Sequence, residues 1–135
     1  MARSLHHLAL GARDVERVAA FYRDLLGLRE VCRHHEPDGR LRSVWLDLGG
    51  ALLMIERTGE LAHRVQGVGA GLFLLALASE PVERTAIEES LTASGFPAED
   101  RTEHTLYVRD PEGNRVAISS FPIQMARNND EIVAE

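Results

Sequence analysis

The chain is poor in cysteine and in aromatic residues: Cys32 is the one thiol in 135 residues, and Phe, Trp and Tyr together make up 5%. A lone thiol forms no internal disulfide, and structural zinc sites combine several thiolates and imidazoles at close spacing. Neither scaffold is expected, and Cys32, in a strand-like stretch, reads as a small inert hydrophobe. No Lys/Arg block is long enough to grip a phosphate backbone, and the net charge is −6, so a nucleic-acid partner is not expected. No apolar run approaches a membrane span. Met1 to Ser4 leads into an apolar segment broken by His6 and His7, unlike the apolar core of a signal peptide. A cytoplasmic protein without a membrane partner is the expectation.

What is present is an ordinary folded composition, 44% hydrophobic and 27% charged, of a length that suits one compact domain. The patterning repeats an element order. Leu5 to Leu10 reads as a strand. Asp14 follows as an N-cap, and Val15, Val18, Ala19, Tyr22, Leu25 and Leu26 recur at helical spacing until Gly27. Three strands are expected next, over Leu28 to His34, Leu41 to Leu48 and Ala51 to Glu56, with turns at Glu36 to Gly39 and at Gly49-Gly50. Residues 57–70 lack periodicity and read as a linker. The second half repeats the order: a strand over Gly71 to Ala78, and a helix capped by Ser79 or Glu80 with Pro81 near its start and Val82, Ala86, Ile87 and Leu91 as its stripe. Strands then follow over Phe96 to Asp100, His104 to Arg109 and Arg115 to Phe121. Asp110-Pro111-Glu112-Gly113-Asn114 is a turn. Each half is too small for a large core of its own, so the halves should pack together. The polar, acidic tail, about 123–135, is expected to be a frayed helix or disordered.

His7-Leu8-Ala9-Leu10, Asp14 and Phe21-Tyr22-Arg23-Asp24-Leu25-Leu26-Gly27-Leu28, together with Asp110-Pro111-Glu112-Gly113-Asn114-Arg115, resemble the opening and closing motifs of the glyoxalase/bleomycin resistance/dioxygenase (vicinal oxygen chelate) superfamily. The resemblance spans roughly residues 5 to 122. It implies an α+β fold of two βαβββ modules, about 5–57 and 71–121, whose curved mixed sheets enclose one cleft. It also implies a homodimer and, in many members, a divalent metal held by the first and last strands of each module.

On that resemblance His7 takes the first-strand ligand position and Glu56 the fourth-strand position. Strand alternation puts His7 with Ala9 on one face and Glu56 with Leu52 and Met54. The second module keeps neither ligand: Leu72 or Phe73 stands at the fifth-strand position and Ala117 at the last-strand position. Three arrangements follow. His7 and Glu56 hold a metal completed by His104, His63 or water; or they act without metal as a polar or acid–base pair; or two chains pool them. A divalent Fe, Mn, Ni, Co or Zn ion and no metal at all are equally compatible with these residues. Trp45, flanked on its face by Ser43 and Asp47, reads as a cleft wall that stacks on a ligand; Phe73, Ala117 and His104 complete the expected lining. Two functions follow: a glyoxalase- or dioxygenase-like lyase, isomerase or oxygenase acting on a small oxygenated substrate, or a metal-free protein that sequesters a small aromatic or cationic compound. The negative net charge suits the cation.

Overall fold

The computed structural model describes residues 2–125 and 132–134. The first half runs β1 (His7–Ala12), α1 (Val15–Ala20), a π-helical turn (Phe21–Leu25), β2 (Glu30–His35), β3 (Leu41–Asp47) and β4 (Leu52–Arg57). The second runs β5 (Leu75–Ala78), α2 (Pro81–Ala93), β6 (Asp100–Arg101), β7 (Thr105–Arg109) and β8 (Arg115–Ser119). The sheets have the same topology, β1-β4-β3-β2 and β5-β8-β7-β6. β1 lies parallel to β4, and β5 to β8; the other pairs are antiparallel. This is the expected α+β arrangement of two βαβββ modules.

The first helix starts where the sequence signals it. Asp14 is extended and its carboxylate accepts the Arg17 N–H at 3.1 Å, satisfying one free donor of the first turn. The pattern read as one helix to Leu26 divides, since Phe21–Leu25 widens into a π-helical turn. Both Phe21 and Tyr22 are buried there, although adjacent residues of a regular helix point well apart. Gly27 then adopts φ +79°, and the next N–H, of Leu28, returns to the Tyr22 carbonyl at 3.0 Å.

Three expectations need correction. The fifth strand is shorter than the apolar run, because Gly71 has φ +79° and cannot continue a pleat; Leu72 is 84% exposed. In α2, Leu91 is fully buried and Ile87 packs on the core, but Val82, in the uncovered first turn, is 82% exposed. The tail contains strand in place of helix or disorder: β9 (Ile123–Met125) pairs antiparallel with β10 (Ile132–Ala134), in keeping with its β-branched residues. Residues 126–131 and 135 lie outside the described residues.

One core joins the modules. Val15, Val18 and Ala19 of α1 cluster with Val44, Leu46, Leu53 and Ile55, and the cluster continues through Leu91, Leu106, Val108, Val116 and Ile118. Phe21 meets Phe96 edge to face, with centroids 5.0 Å apart. The Tyr22 hydroxyl donates to Asp110 Oδ2 at 2.6 Å, and Arg13 Nε donates to the nearly buried Glu112 carboxylate at 2.9 Å. The Asp110 carboxylate, 3% exposed, also accepts the Glu112 and Asn114 backbone N–H groups and the Asn114 amide. The turn the sequence marks is thus also the clasp between the halves.

Candidate functional site

Strand register sorts the sheet face turned away from the helices into rows. In the first module His7 lies level with Leu52 and Asp47, Ala9 with Met54, Trp45 and Cys32, and Gly11 with Glu56, Ser43 and His34. The alternate residues Leu8, Leu10, Val44, Leu46, Leu53 and Ile55 belong to the core side. In the second module Ala76 lies level with Ala117, Tyr107 and Asp100, and Ala78 with Ser119 and Thr105. Leu74 precedes Leu75, the partner of Val116, and so stands level with Arg115, whose other neighbour is Arg109.

Aligned at the closed ends of the equivalent hairpins, where Asp47 pairs with Leu52 and Arg109 with Arg115, the rows of the two sheets correspond. Trp45 matches Tyr107, Ser43 matches Thr105, and Glu56 matches Ser119. Leu52 matches Arg115, Met54 matches Ala117, and His7 matches Leu74.

This equivalence tests the expected metal centre. Ala117 is the last-strand ligand position implied by the resemblance, and its counterpart on β4 is Met54. The counterpart of His7 on the second module is Leu74, one residue beyond the expected Leu72 or Phe73. The four positions therefore hold one imidazole, one thioether and two hydrocarbon side chains. Glu56 stands level with Gly11, four residues along from the level of His7, or about 13 Å at roughly 3.3 Å per residue. His7 and Glu56 share a face, as expected, but do not converge on one ion or one proton within the chain. Among the described residues no three His, Cys, Asp or Glu side chains come together as ligands. A hard divalent ion needs several N or O donors, and this donor set does not fit one.

The other expected residues separate. Trp45 is half-buried, tilts against the His34 ring at a 4.7 Å centroid distance, and keeps a buried Nε1–H with no hydrogen-bond partner among the described residues. Ser43 is buried and pairs with His34 Nδ1 at 3.1 Å. Asp47 is engaged in its own turn: it accepts the Gly49 N–H at 2.7 Å and pairs with Arg29 at 3.2 Å, and these hold its carboxyl below the usual range. Ala117 has no exposed surface, so it offers a ligand no contact. His104 precedes β7 at the end remote from Arg109 and packs edge to face on Phe121, with centroids 5.6 Å apart. It does not join His7, and His63 is exposed in the connecting segment.

Phe73 lines a cavity of about 100 Å³ between the modules. Leu8, Ala9 and Leu10 line one side, Leu72 to Leu75 with Val65 the other, and Asn114 with Arg115 the end. Arg115 is the one charge in this lining. Its guanidinium lies 4.3 Å from the Tyr107 ring centroid, a cation–π contact. Beside it Arg109 engages Glu99 through two bonds of 2.7 and 3.2 Å, which hold the Glu99 carboxyl below the usual range. Arg115, Tyr107, Asn114 and Leu74 were missed from sequence. The available signal was alternation itself, since Arg115 shares the face of Ala117, two residues on.

The sequence matches the model of the Glyoxalase/Bleomycin resistance protein/Dioxygenase superfamily over residues 4–118. A search of curated proteins returns no match. Among solved structures, a variant of the fosfomycin resistance protein FosX from Listeria monocytogenes, complexed with Mn(II) and 1S,2S-dihydroxypropylphosphonic acid, is similar with a TM-score of 0.73 at 18% identity, covering 89% of this chain and 94% of that one. Lactoylglutathione lyase from Agrobacterium tumefaciens is similar with a TM-score of 0.64 at 22% identity, over 87% and 93% of the two chains. TioX from Micromonospora sp. ML1 has a TM-score of 0.61 at 24% identity, over 87% and 98%. With two βαβββ modules in place and a family match over most of its length, the chain belongs to the glyoxalase/bleomycin resistance protein/dioxygenase superfamily.

Proposed function

We propose that this chain is a metal-independent binding protein for a small, largely apolar molecule, held in the cavity between its modules. One observation carries the reading: the positions that the resemblance and the aligned rows assign to metal ligands hold His7, Met54, Leu74 and Ala117, a set that packs against hydrocarbon better than it binds a cation. The fold hosts enzymes and binders alike, so it does not decide. The lining supports the binder: aliphatic and aromatic side chains with few polar groups are the usual composition of a small-molecule pocket. The glyoxalase- or dioxygenase-like alternative needs a Lewis acid, or His7 and Glu56 acting together, and the strand register separates that pair.

A homodimer suits the connecting segment, where Leu61, Val68 and Leu72 are 73%, 84% and 84% exposed. No helix among the described residues is long and apolar enough to cross a membrane. A half-buried free Cys32 fits a reducing compartment such as the cytoplasm.

The test pairs metal analysis with a ligand screen. Protein purified without chelator, and again after dialysis against Fe, Mn, Ni, Co or Zn salts, should carry far less than one metal per chain. Small apolar compounds should raise its melting temperature equally with and without EDTA, since a ligand that binds only the folded state stabilises it. Near-stoichiometric metal, or stabilisation abolished by EDTA, would overturn the reading.

A further inference from the structure

The cavity between the modules ends on an arginine that the protein leaves under-used. The Arg115 side chain is only 16% exposed, yet its guanidinium makes no hydrogen bond among the described residues; its nearest carboxylate contacts are 4.0 Å to Glu99 and 3.9 Å to Asp100. Its Nε–H is buried and without a hydrogen-bond partner among the described residues. Glu99 is already engaged by Arg109 at 2.7 Å, and the Asp100 side chain is 64% exposed. A guanidinium carries five donors and stays charged, and buried polar groups are ordinarily satisfied. Tyr107 stands over one flat face of the guanidinium and the buried Nε lies toward Glu99, so the terminal amino groups, without a hydrogen bond among the described residues, are the donors left for a planar acceptor. Leu74, level with Arg115, and Phe73 and Ala9 nearby supply hydrocarbon.

We infer that the ligand is an amphipathic monocarboxylate, with its alkyl or aryl body in the cavity and its carboxylate on Arg115. This rests on the cavity being the ligand site proposed above and adds the ligand's charge. A carboxylate offers two coplanar oxygens, the partner that a guanidinium edge takes bidentately. An engineered apolar cavity of about 150 Å³ accepts benzene, so this partly open space of about 100 Å³ suits a short chain or part of a ring. The cationic ligand suggested by the net charge of −6 is disfavoured locally, because the one charge on the cavity wall is positive.

The experiment titrates full-length protein with hexanoate, 1-hexanol and hexylammonium by calorimetry. Hexanoate should bind best and hexylammonium least. Arg115→Gln should weaken hexanoate by about tenfold or more, the loss expected of a charge-assisted hydrogen bond, and leave hexanol within about twofold. Arg115→Lys should recover part of the acid preference. Melting curves establish that each variant is folded. Equal binding of acid and alcohol, or an unchanged acid preference in folded Arg115→Gln, would overturn the carboxylate assignment while the cavity reading survives. No binding of any of the three at millimolar concentration would overturn both.

Discussion

Tyr22 and Asp110, 88 residues apart, meet through a 2.6 Å hydrogen bond that fastens the first module's helical turn to the second module's hairpin. Both residues are buried. Tyr22→Phe removes the hydroxyl and leaves a buried carboxylate oxygen one donor short. The expected cost is about 1.5–3 kcal/mol, as for a hydrogen bond to a charged group, read as a lower urea midpoint at an unchanged slope. An unaltered midpoint would mean that the clasp is energetically idle.

The same pair sets a pH dependence. Burial, then the Asp110 charge and the hydrogen bond to it, push the Tyr22 phenol well above its ordinary value of 10.0. The folded state keeps a proton that the unfolded state releases above about pH 10, so stability is full below that pH and falls as pH rises beyond it. The slope contributed is about 1.4 kcal/mol per pH unit, until the folded phenol itself ionises. No lysine occurs in the chain, so no ammonium of that kind titrates in the same window. Urea unfolding from pH 9 to 11 should show the decline in the parent and a flatter profile in Tyr22→Phe.

If the β4 ligand position is Met54 and not Glu56, a carboxylate placed there should create what the native residue does not provide. Met54 is level with Ala9, one row from His7, close enough for a diagonal pair of side chains to interact. Met54→Glu should acquire Ni or Zn binding that calorimetry does not find in the parent, and adding His7→Ala should abolish it. Binding in the parent that vanishes with Glu56→Gln would reverse the assignment.

Gly27 at φ +79° has no heavy atom of the described residues, its own and its chain neighbours' apart, within 4 Å of where a Cβ would stand. Gly27→Ala therefore meets no clash, and its cost is conformational, about 1–2 kcal/mol for an L-residue in the left-handed region. Thermal unfolding would measure it.

Much of the fold was legible because its determinants are local. Asp14, Gly27 and the Asp110 to Asn114 turn act within a few residues, and alternation assigned His7 and Trp45 to the open face correctly. The candidate site was less legible because it depends on register between strands far apart in sequence. Periodicity shows that Glu56 shares a face with Met54, but not that Gly11, four residues beyond His7, is its neighbour. Asp47 looked like a cleft residue because its two turn partners, Gly49 and Arg29, cannot be assigned from spacing. In sequence Arg115 is one member of a hairpin motif, and only its place beside an apolar cavity gives it chemical interest.

The row-by-row match of the two modules makes the molecule its own reference panel. At each level of the open face the chain displays two solutions to one backbone environment: indole or phenol at Trp45 and Tyr107, hydroxyls at Ser43 and Thr105, hydrocarbon or guanidinium at Leu52 and Arg115. At these matched levels each residue has an alternative already written in the other half. Exchanging counterparts, rather than cutting back to alanine, would change chemistry while keeping a side chain that the same pleat is known to carry.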